Sequence, residues 1–207
     1  HADEELLYRL FGVDAELLID HAWGRETVTM EDIKTYRPKS NSISSGQVLA
    51  RDYGHAEARL VAKEMADMLA LELVEKELVT DSITLHVGYS NRMEKKPAHG
   101  TVTMTVTTSS ARQIIAYTAE LYDRIVDPHT PVRRMSLTFN HVTDEACEQY
   151  DLFTDPGELE RERRMQRALL DIKGKFGKNA ILKGMNLQDG ATAMERNCQI
   201  GGHRSGV

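Results

Sequence analysis

Three stretches in the middle of the chain alternate between apolar and polar residues, which is the pattern of β-strands with one buried face. They lie at 82–89, 100–107 and 134–140. A serine-rich stretch at 40–50 is a fourth predicted strand, in which we expect Gly46 to form a bulge. Apolar residues at helical spacing predict one helix over 55–73 and another that starts after Ser109 or Ser110 and reaches Ile125.

The predicted order from residue 39 to 142 is therefore strand, helix, strand, strand, helix, strand, which is an α+β domain. Strands that alternate, rather than being apolar throughout, bury only one of their two faces. We therefore expect both helices to cover one face of the sheet. The other face should be open and polar.

The flanking segments have other patterns. Residues 1–26 are mostly helical with a break at Gly12, and residues 27–38 are predicted to be a linker. Residues 143–157 lack periodicity and form a connector. Asp155, Pro156 and Glu158 then make a helix start with a capping box, and Gly177 is a natural stop, so 158–207 is predicted to be a C-terminal helix and a glycine-rich tail.

Composition narrows the class of protein. The apolar fraction of 41% permits a normal core, and no apolar run approaches the length of a membrane span. Cys147 and Cys198 are far apart and predict neither a disulfide framework nor a zinc site, so we expect a reducing, cytoplasmic location. The chain begins with His1 rather than Met, so we expect it to be a piece of a longer protein.

Positive charge is concentrated locally, although the net charge of −6 is atypical of a DNA-binding domain. The acids cluster in the predicted helices, whereas strands and loops carry Lys39, Arg92, Lys95, Lys96, Arg133 and Arg134. Hydroxyl groups on an open sheet face are good donors to phosphate oxygens, and these cations would attract a polyanion. The alternative is that these polar residues are simply solvated.

We expect no catalytic centre in this chain. Polymerase-type chemistry needs paired acids on a rigid element to hold Mg²⁺. The two acidic clusters, 3–5 and 31–32, do not follow hydrophobic strands, and the chain has no phosphate-binding glycine motif. We therefore predict no catalytic residue and no metal ligand.

The segment 149–153 places Gln149 before the apolar pair Leu152 and Phe153. Such a peptide can insert its two apolar side chains into a pocket on a partner protein. The alternative is that both side chains pack onto the following helix of the same chain. The residues alone leave these two interpretations open.

Several of these segments resemble the C-terminal part of Y-family translesion DNA polymerases, specifically the UmuC-like (ImpB/MucB/SamB) members. The stretch 39–44, Ala98-His99-Gly100-Thr101 and the pair Arg133-Arg134 resemble elements of the little-finger domain. Residues 4–24 resemble the end of the thumb domain. The segment 149–153 is similar to the bacterial sliding-clamp motif, with Tyr150 where leucine is more usual, and 171–203 is similar to the UmuC-like tail.

The resemblance implies a part of a DNA-repair polymerase of the SOS response that holds the template-primer duplex and recruits the sliding clamp through Gln149, Leu152 and Phe153. The parent enzyme would use Mg²⁺, whereas this chain lacks the catalytic palm and should be inactive alone. The implied DNA-binding residues are Lys39, Ser40, Asn41, Ser42, Ser44, Arg92, Lys95, Lys96, His99, Gly100, Thr101, Thr103, Thr105, Arg133 and Arg134.

A rival interpretation is a free-standing α+β module that binds a protein or a small ligand for regulation. Such a module would need a concave apolar pocket on its open face. The threonine-rich strand at 100–107 argues against that pocket.

Overall fold

The structure is a computed structural model that describes residues 3–26, 28–36, 41–90, 92–147, 155–200 and 203–204. The chain divides into two compact units, His1–Lys39 and Ser40–Val207. The first unit contains three short helices: α1 (Glu4–Phe11), α2 (Asp14–Ala22) and α3 (Met30–Thr35). Helices α1 and α2 separate at Gly12, as predicted, which adopts a positive φ of 58°.

Helix α3 lies within the segment 27–38, which is predicted to be a linker, and the polar sequence there did not predict a helix. The Thr29 side chain accepts a hydrogen bond from the backbone N of Asp32, and the Asp32 carboxylate accepts one from the backbone N of Thr29. This reciprocal capping stabilises a single turn without any buried residue. The apolar pattern could not reveal a helix that buries nothing.

The second unit is built around an antiparallel sheet. Its elements are, in chain order, β1 (Ile43–Tyr53), α4 (His55–Glu75), β2 (Leu78–Tyr89), β3 (Ala98–Thr108), α5 (Ala111–Ile125), β4 (Val132–Asn140), β5 (Thr143–Asp144), α6 (Pro156–Phe176), α7 (Ala193–Asn197), β6 (Gln199–Ile200) and β7 (His203–Arg204). The four long strands lie in the order β1-β4-β2-β3, and β5 pairs with the start of β2. The predicted α+β fold with its β-α-β-β-α-β core is confirmed.

The core lies between the sheet and the helices α4 and α5. Alternate residues of the strands, among them Ile83, Leu85, Leu137 and Phe139, are fully buried. They meet the apolar stripes of both helices, represented by Val61, Leu69, Ile114 and Leu121. Helices α4 and α5 therefore cover one face of the sheet, as the alternation predicted. We call the opposite face of the sheet the open face.

The bulge predicted at Gly46 is wrong. Gly46 pairs in regular register with Ser136, and the irregularity of β1 falls between Val48 and Tyr53 instead. A Cβ at Gly46 would find its nearest neighbour 3.7 Å away, so neither a bulge nor a crowded contact requires glycine there. Glycine in a strand is therefore an unreliable sign of a bulge here.

Helix caps follow the sequence closely in this unit. Ser110, rather than Ser109, caps α5 by accepting a hydrogen bond from the backbone N of Gln113 at 3.3 Å. Asp155 caps α6 by accepting from the backbone N of Gly157 at 2.8 Å, with Pro156 as the first helical residue. Helix α6 ends at Gly177, whose φ is 95°.

Candidate nucleic-acid interface

The open face carries rows of small polar side chains that run across all four long strands. Strand pairing places Ser44, Thr138, Thr84 and Thr101 in one row. The next row contains Gly46, Ser136, His86 and His99. Because paired residues on one face lie only about 5 Å apart, these hydroxyl and imidazole groups form a continuous polar surface.

Hydrogen bonds between strands organise this surface. The hydroxyls of Thr84 and Thr101 lie 2.9 Å apart. The Asn140 side-chain amide donates to the Ser82 hydroxyl at 3.2 Å and to that of Thr84 at 2.9 Å. Hydroxyls held in place by their neighbours lose little freedom when they donate to a ligand, which favours binding.

The two histidines of the open face form a pair that their separation in sequence conceals. His86 and His99 are opposite each other on β2 and β3, and their ring centroids lie 4.3 Å apart. Both side chains are exposed. Two exposed imidazole rings thus lie side by side at the β3 end of this row of the open face.

Charge is separated between the two faces of the sheet. The four long strands contain only two acids, Asp52 and Asp81. Asp52 accepts a hydrogen bond from the Ser90 hydroxyl at 2.8 Å, and Asp81 contacts the His141 ring at 2.8 Å. Helix α4 on the covered face carries five acids, so the open face is the less negative side of this unit.

Arg134 is the cation that lies directly on the open face. Its side chain is exposed and crosses over Gly88 of the neighbouring strand, where a Cβ would overlap its Cγ and Nε atoms. Glycine at 88 therefore lets the guanidinium side chain lie flat against the sheet. A flat, exposed guanidinium is well suited to contact a phosphate backbone from this surface.

Most of the predicted DNA-binding residues lie on this face or at its rim. Ser44, His99, Thr101, Thr103 and Thr105 are exposed on the two edge strands. Asn41 and Ser42 are exposed just before β1, and Arg92 and Lys96 are exposed in the β2–β3 loop. Lys39 and Ser40 lie outside the described residues.

Three predicted residues have a different environment. Gly100 faces α5, since a Cβ there would lie 2.8 Å from Ile125, so it contributes only backbone to the open face. Lys95 forms an ion pair with Asp127 and donates to the Thr130 hydroxyl at 3.2 Å, so its charge already has a partner. Arg133 is half-buried.

Several polar residues of the open face are not among the predicted DNA-binding residues. These are Ser82, Thr84, His86, Ser136, Thr138 and Asn140. Their polarity at alternate positions was visible in the sequence. What connects them to Thr101 and His99 is the strand order, which places β2 and β4 between the two edge strands.

A groove of about 890 Å³ runs along part of the open face at the β1 side. Its lining includes Gly46, Val48, His86, Arg134 and Ser136 of the sheet. Residues from the C-terminal part of the chain, Thr192, Glu195, Arg196 and Gln199, complete it. The groove therefore extends around the edge strand β1 toward the tail.

The tail, which we define as residues 177–200, packs onto the acidic helix α4. The buried Glu64 carboxylate accepts hydrogen bonds from the Asn186 side chain at 2.8 Å and from the backbone N of Thr192 at 2.7 Å. The Lys183 ammonium lies 2.5 Å from the Asp67 carboxylate. These contacts explain why two acids of α4 are buried, and they hold the tail against the sheet domain.

The predicted clamp-binding residues Gln149, Leu152 and Phe153 lie outside the described residues. In the part of the chain that the structure describes, no group of three or more His, Cys, Asp or Glu side chains could hold a metal ion. Nor is any helix in that part long and apolar enough to cross a membrane.

The polar β-α-β-β-α-β sheet domain matches a known family. Residues 40–152, more than half of the chain, match the model of the impB/mucB/samB family C-terminal domain. The chain belongs to the impB/mucB/samB family. The resemblance to UmuC-like Y-family polymerases is thereby confirmed, and the open face belongs to the C-terminal domain of that family.

Curated relatives are similar over most of the chain. A protein named for UV-damage repair, UvrX of Bacillus subtilis (strain 168), is 28% identical over 205 residues, which is 97% of this chain and 47% of that protein. DNA polymerase IV of Pelotomaculum thermopropionicum is 26% identical over 93% of the chain and 46% of its own length. DNA polymerase IV 2 of Halalkalibacterium halodurans is 25% identical over 80% and 40%. The chain spans about half the length of these relatives.

Proposed function

We propose that this chain is the C-terminal region of a DNA-repair polymerase and that its open face holds the template-primer duplex. The observation that carries the proposal is the cross-strand surface of hydroxyl groups with Arg134 lying flat on it, on the side of the sheet away from the acidic helix α4. The names of the relatives, which refer to UV-damage repair and DNA polymerase IV, support a nucleic-acid ligand.

The chemistry of the open face favours the phosphate backbone over the bases. Threonine and serine hydroxyls and an arginine donate hydrogen bonds to phosphate oxygens without reading sequence. A sliding polymerase needs such contacts, because the duplex changes its sequence at every step. With a net charge of −6, however, the chain gains little from general attraction, and we expect weak binding that depends on local contacts.

Arg134→Glu tests the proposal directly. It places a carboxylate on the open face, so the affinity for a fluorescein-labelled primer-template duplex should fall by roughly fivefold or more, and the slope of log affinity against log salt should become shallower by about 0.9. Fluorescence anisotropy titrations at several salt concentrations measure both quantities. Thr103→Glu on the edge strand should weaken binding in the same assay.

The matched control is Arg164→Glu. Arg164 is exposed on α6, and its contacts with described residues are a 3.9 Å ion pair with Glu160 and a 3.5 Å hydrogen bond to the Glu160 carbonyl. The same change in net charge therefore occurs away from the open face. If Arg134→Glu and Arg164→Glu weaken binding equally, net charge explains the effect and the open face is not the interface.

Lys95 and Lys96 are both predicted to contact DNA, but their environments in the structure differ. Lys96 is exposed and remains a candidate phosphate contact. Lys95 is paired with Asp127, so its substitution also removes an anchor of the β2–β3 loop. Lys96→Glu alone is therefore the cleaner test of the rim of the open face.

We assign no catalytic step to this chain. Nucleotide transfer with Mg²⁺ is proposed only for a longer parent polymerase, since the described carboxylates do not form a metal-holding cluster. A primer-extension assay with the chain alone should therefore give no extension. Template-dependent extension that disappears on neutralising one of its carboxylates would contradict this assignment.

Recruitment of the sliding clamp by Gln149, Leu152 and Phe153 is a second proposal, which rests on the sequence of that segment. The apolar pair would insert into a pocket on the clamp, a contact of roughly micromolar strength after ordering costs. Leu152→Ala with Phe153→Ala should abolish clamp binding in a pull-down and leave the melting temperature nearly unchanged. A lower melting temperature with clamp binding retained would show that the pair packs on its own chain.

The family match favours these proposals over a free-standing regulatory module. The lining of the groove on the open face is more apolar than polar, with Val48, Leu49 and Pro97 among its apolar residues, and it also includes Arg134, His86 and Ser136. The match to the family of DNA-repair polymerases, rather than the lining of the groove, therefore favours a nucleic-acid ligand.

A further inference from the structure

Arg196 occupies an unusual position at the edge of the sheet. It lies on α7 in the tail, is half-buried, and donates from Nη2 to the Ser45 hydroxyl at 3.0 Å. Burial lowers the pKa of the Arg196 guanidinium, against an opposing effect of the Glu64 carboxylate. Among the described residues, its hydrogen-bond partner is thus a neutral hydroxyl.

A guanidinium has five N–H donors, and the Ser45 hydroxyl uses only one of its nitrogens. A partly desolvated cation with unused donors interacts strongly with an anion that reaches it, because little solvent remains to be displaced. Glu64, the nearby acid, directs its carboxylate to Asn186 and Thr192. Arg196 is therefore prepared for an external anion.

Arg196 and Arg134 line the same groove of about 890 Å³. Arg134 contributes from the open face, and Arg196 contributes from beyond the edge strand β1, where Ser45 points to the opposite side of the sheet from Ser44. Glu195 is the acid among the residues that line this groove, against the two arginines. The groove thus carries a net positive charge on a chain whose net charge is negative.

The tail holds Arg196 in place through several independent contacts. The Thr192 hydroxyl lies 3.4 Å from the side-chain oxygen of Gln47 on β1, and the Thr192 amide is bound by Glu64. Gly190 adopts a φ of 85° and approaches the Glu57 side chain so closely that a Cβ would lie 3.1 Å from it. The turn before α7 is thus fitted to α4, and it determines where Arg196 lies.

We propose that the tail is part of the nucleic-acid interface and that Arg196 binds a backbone phosphate of a DNA strand that passes over the edge strand β1. This inference rests on the proposed DNA-binding function and extends it beyond the sheet. In this arrangement, Arg134 contacts the duplex on the open face, and Arg196 contacts the same molecule at the groove's far end. The tail thereby enlarges the surface over which the duplex is held.

The test compares neutralised variants of the full chain in anisotropy titrations with a fluorescein-labelled primer-template duplex. Arg196→Gln should lower the affinity about fivefold and make the salt slope shallower by about 0.9, as expected for the loss of one phosphate contact. Arg196→Lys should retain most of the affinity, since it keeps the charge. Arg164→Gln on α6 provides the matched neutralisation and should change neither quantity.

Ser45→Ala separates a DNA contact from a structural role. It removes the hydroxyl partner of Arg196 and keeps the cation, so DNA binding should be retained. If Arg196 were merely structural, Arg196→Gln would lower the melting temperature and leave affinity and salt slope unchanged, which would overturn the inference. An equal loss of affinity in Ser45→Ala would also overturn it.

The same experiment distinguishes this inference from the function on which it rests. If Arg134→Glu weakens binding but Arg196→Gln does not, the open face binds DNA and the tail does not contribute. If neither variant differs from its Arg164 control, the open face itself is not the interface. Weakening by both supports an interface that extends around the edge strand.

Discussion

Glu64 offers a sharp test of how the tail is attached. The residue is 5% exposed, and its two carboxylate oxygens accept from the Asn186 side chain at 2.8 Å and from the Thr192 amide at 2.7 Å. Glu64→Gln keeps the shape of the side chain but leaves a single acceptor oxygen. Its new amide group must then face one of the two donors.

The expected magnitude follows from those two bonds. A hydrogen bond to a charged group contributes about 1.5–3 kcal/mol, and a buried donor without an acceptor is unfavourable by a similar amount. We therefore expect Glu64→Gln to destabilise the attachment of the tail by about 2–3 kcal/mol. If the tail detaches locally, exchange of the Thr192 amide hydrogen should accelerate by roughly 30- to 160-fold.

Hydrogen exchange read by mass spectrometry or NMR measures this opening directly, and thermal unfolding reports whether the sheet domain follows. A cooperative loss would lower the melting temperature by about 4–12 °C in a domain of this size. Glu75→Gln is the matched control, since Glu75 is exposed on the same helix. An unchanged exchange rate at Thr192 in Glu64→Gln would refute the attachment that we describe.

Two further predictions concern crowding and charge in the sheet domain. Gly100→Ala should lower the free energy of unfolding of the sheet domain by about 1–3 kcal/mol in denaturant titrations, because the new Cβ would lie 2.8 Å from Ile125. Gly46→Ala is the control and should be tolerated, because the nearest atom to its new Cβ would be 3.7 Å away. Equal effects of the two substitutions would contradict this packing. The pKa of Asp127 is held well below its usual range, first by Lys95 and then by the His129 amide and Thr130 hydroxyl. A depressed carboxyl pKa adds stability that is complete above the ordinary value near 4 and is lost as the pH falls toward the lowered pKa. Asp127→Asn should therefore lower the melting temperature at pH 7, and its difference from the parent should shrink steadily as the pH falls below about 4. A melting-temperature difference that does not depend on pH would show that this ion pair adds nothing.

Local patterning was enough to predict the class of the fold. The apolar residues recur with a period of two along β2, β3 and β4 and of about 3.6 along α4 and α5, so each element has one face to bury. Helices packed on one side of a sheet bury these faces together. The caps of α5 and α6 were also readable, because capping is a local interaction between neighbouring residues. Capping residues and periodic apolar patterns can be recognised in a sequence without knowledge of the tertiary structure.

What the sequence did not determine depends on contacts between distant residues. The pairing of His86 with His99, the ion pair of Lys95 with Asp127 and the orientation of Gly100 toward α5 all follow from strand order and register. The order of the elements along the chain specifies neither the strand order nor the register, since β4 inserts between β1 and β2 only when the sheet assembles. Tertiary packing alone decided which polar residues form one surface.

The tail shows the same division most clearly. Its sequence is glycine-rich and lacks periodicity, so it does not indicate which part of the chain the tail packs against. Glu64 and Asp67 are two of the acids that the sequence places on a predicted helix, and they are buried because Asn186, Thr192 and Lys183 cover them. Hydrogen bonds and ion pairs between distant polar residues leave no periodic pattern in the sequence. The position of Arg196 beside the edge strand β1 therefore became visible only in the folded chain.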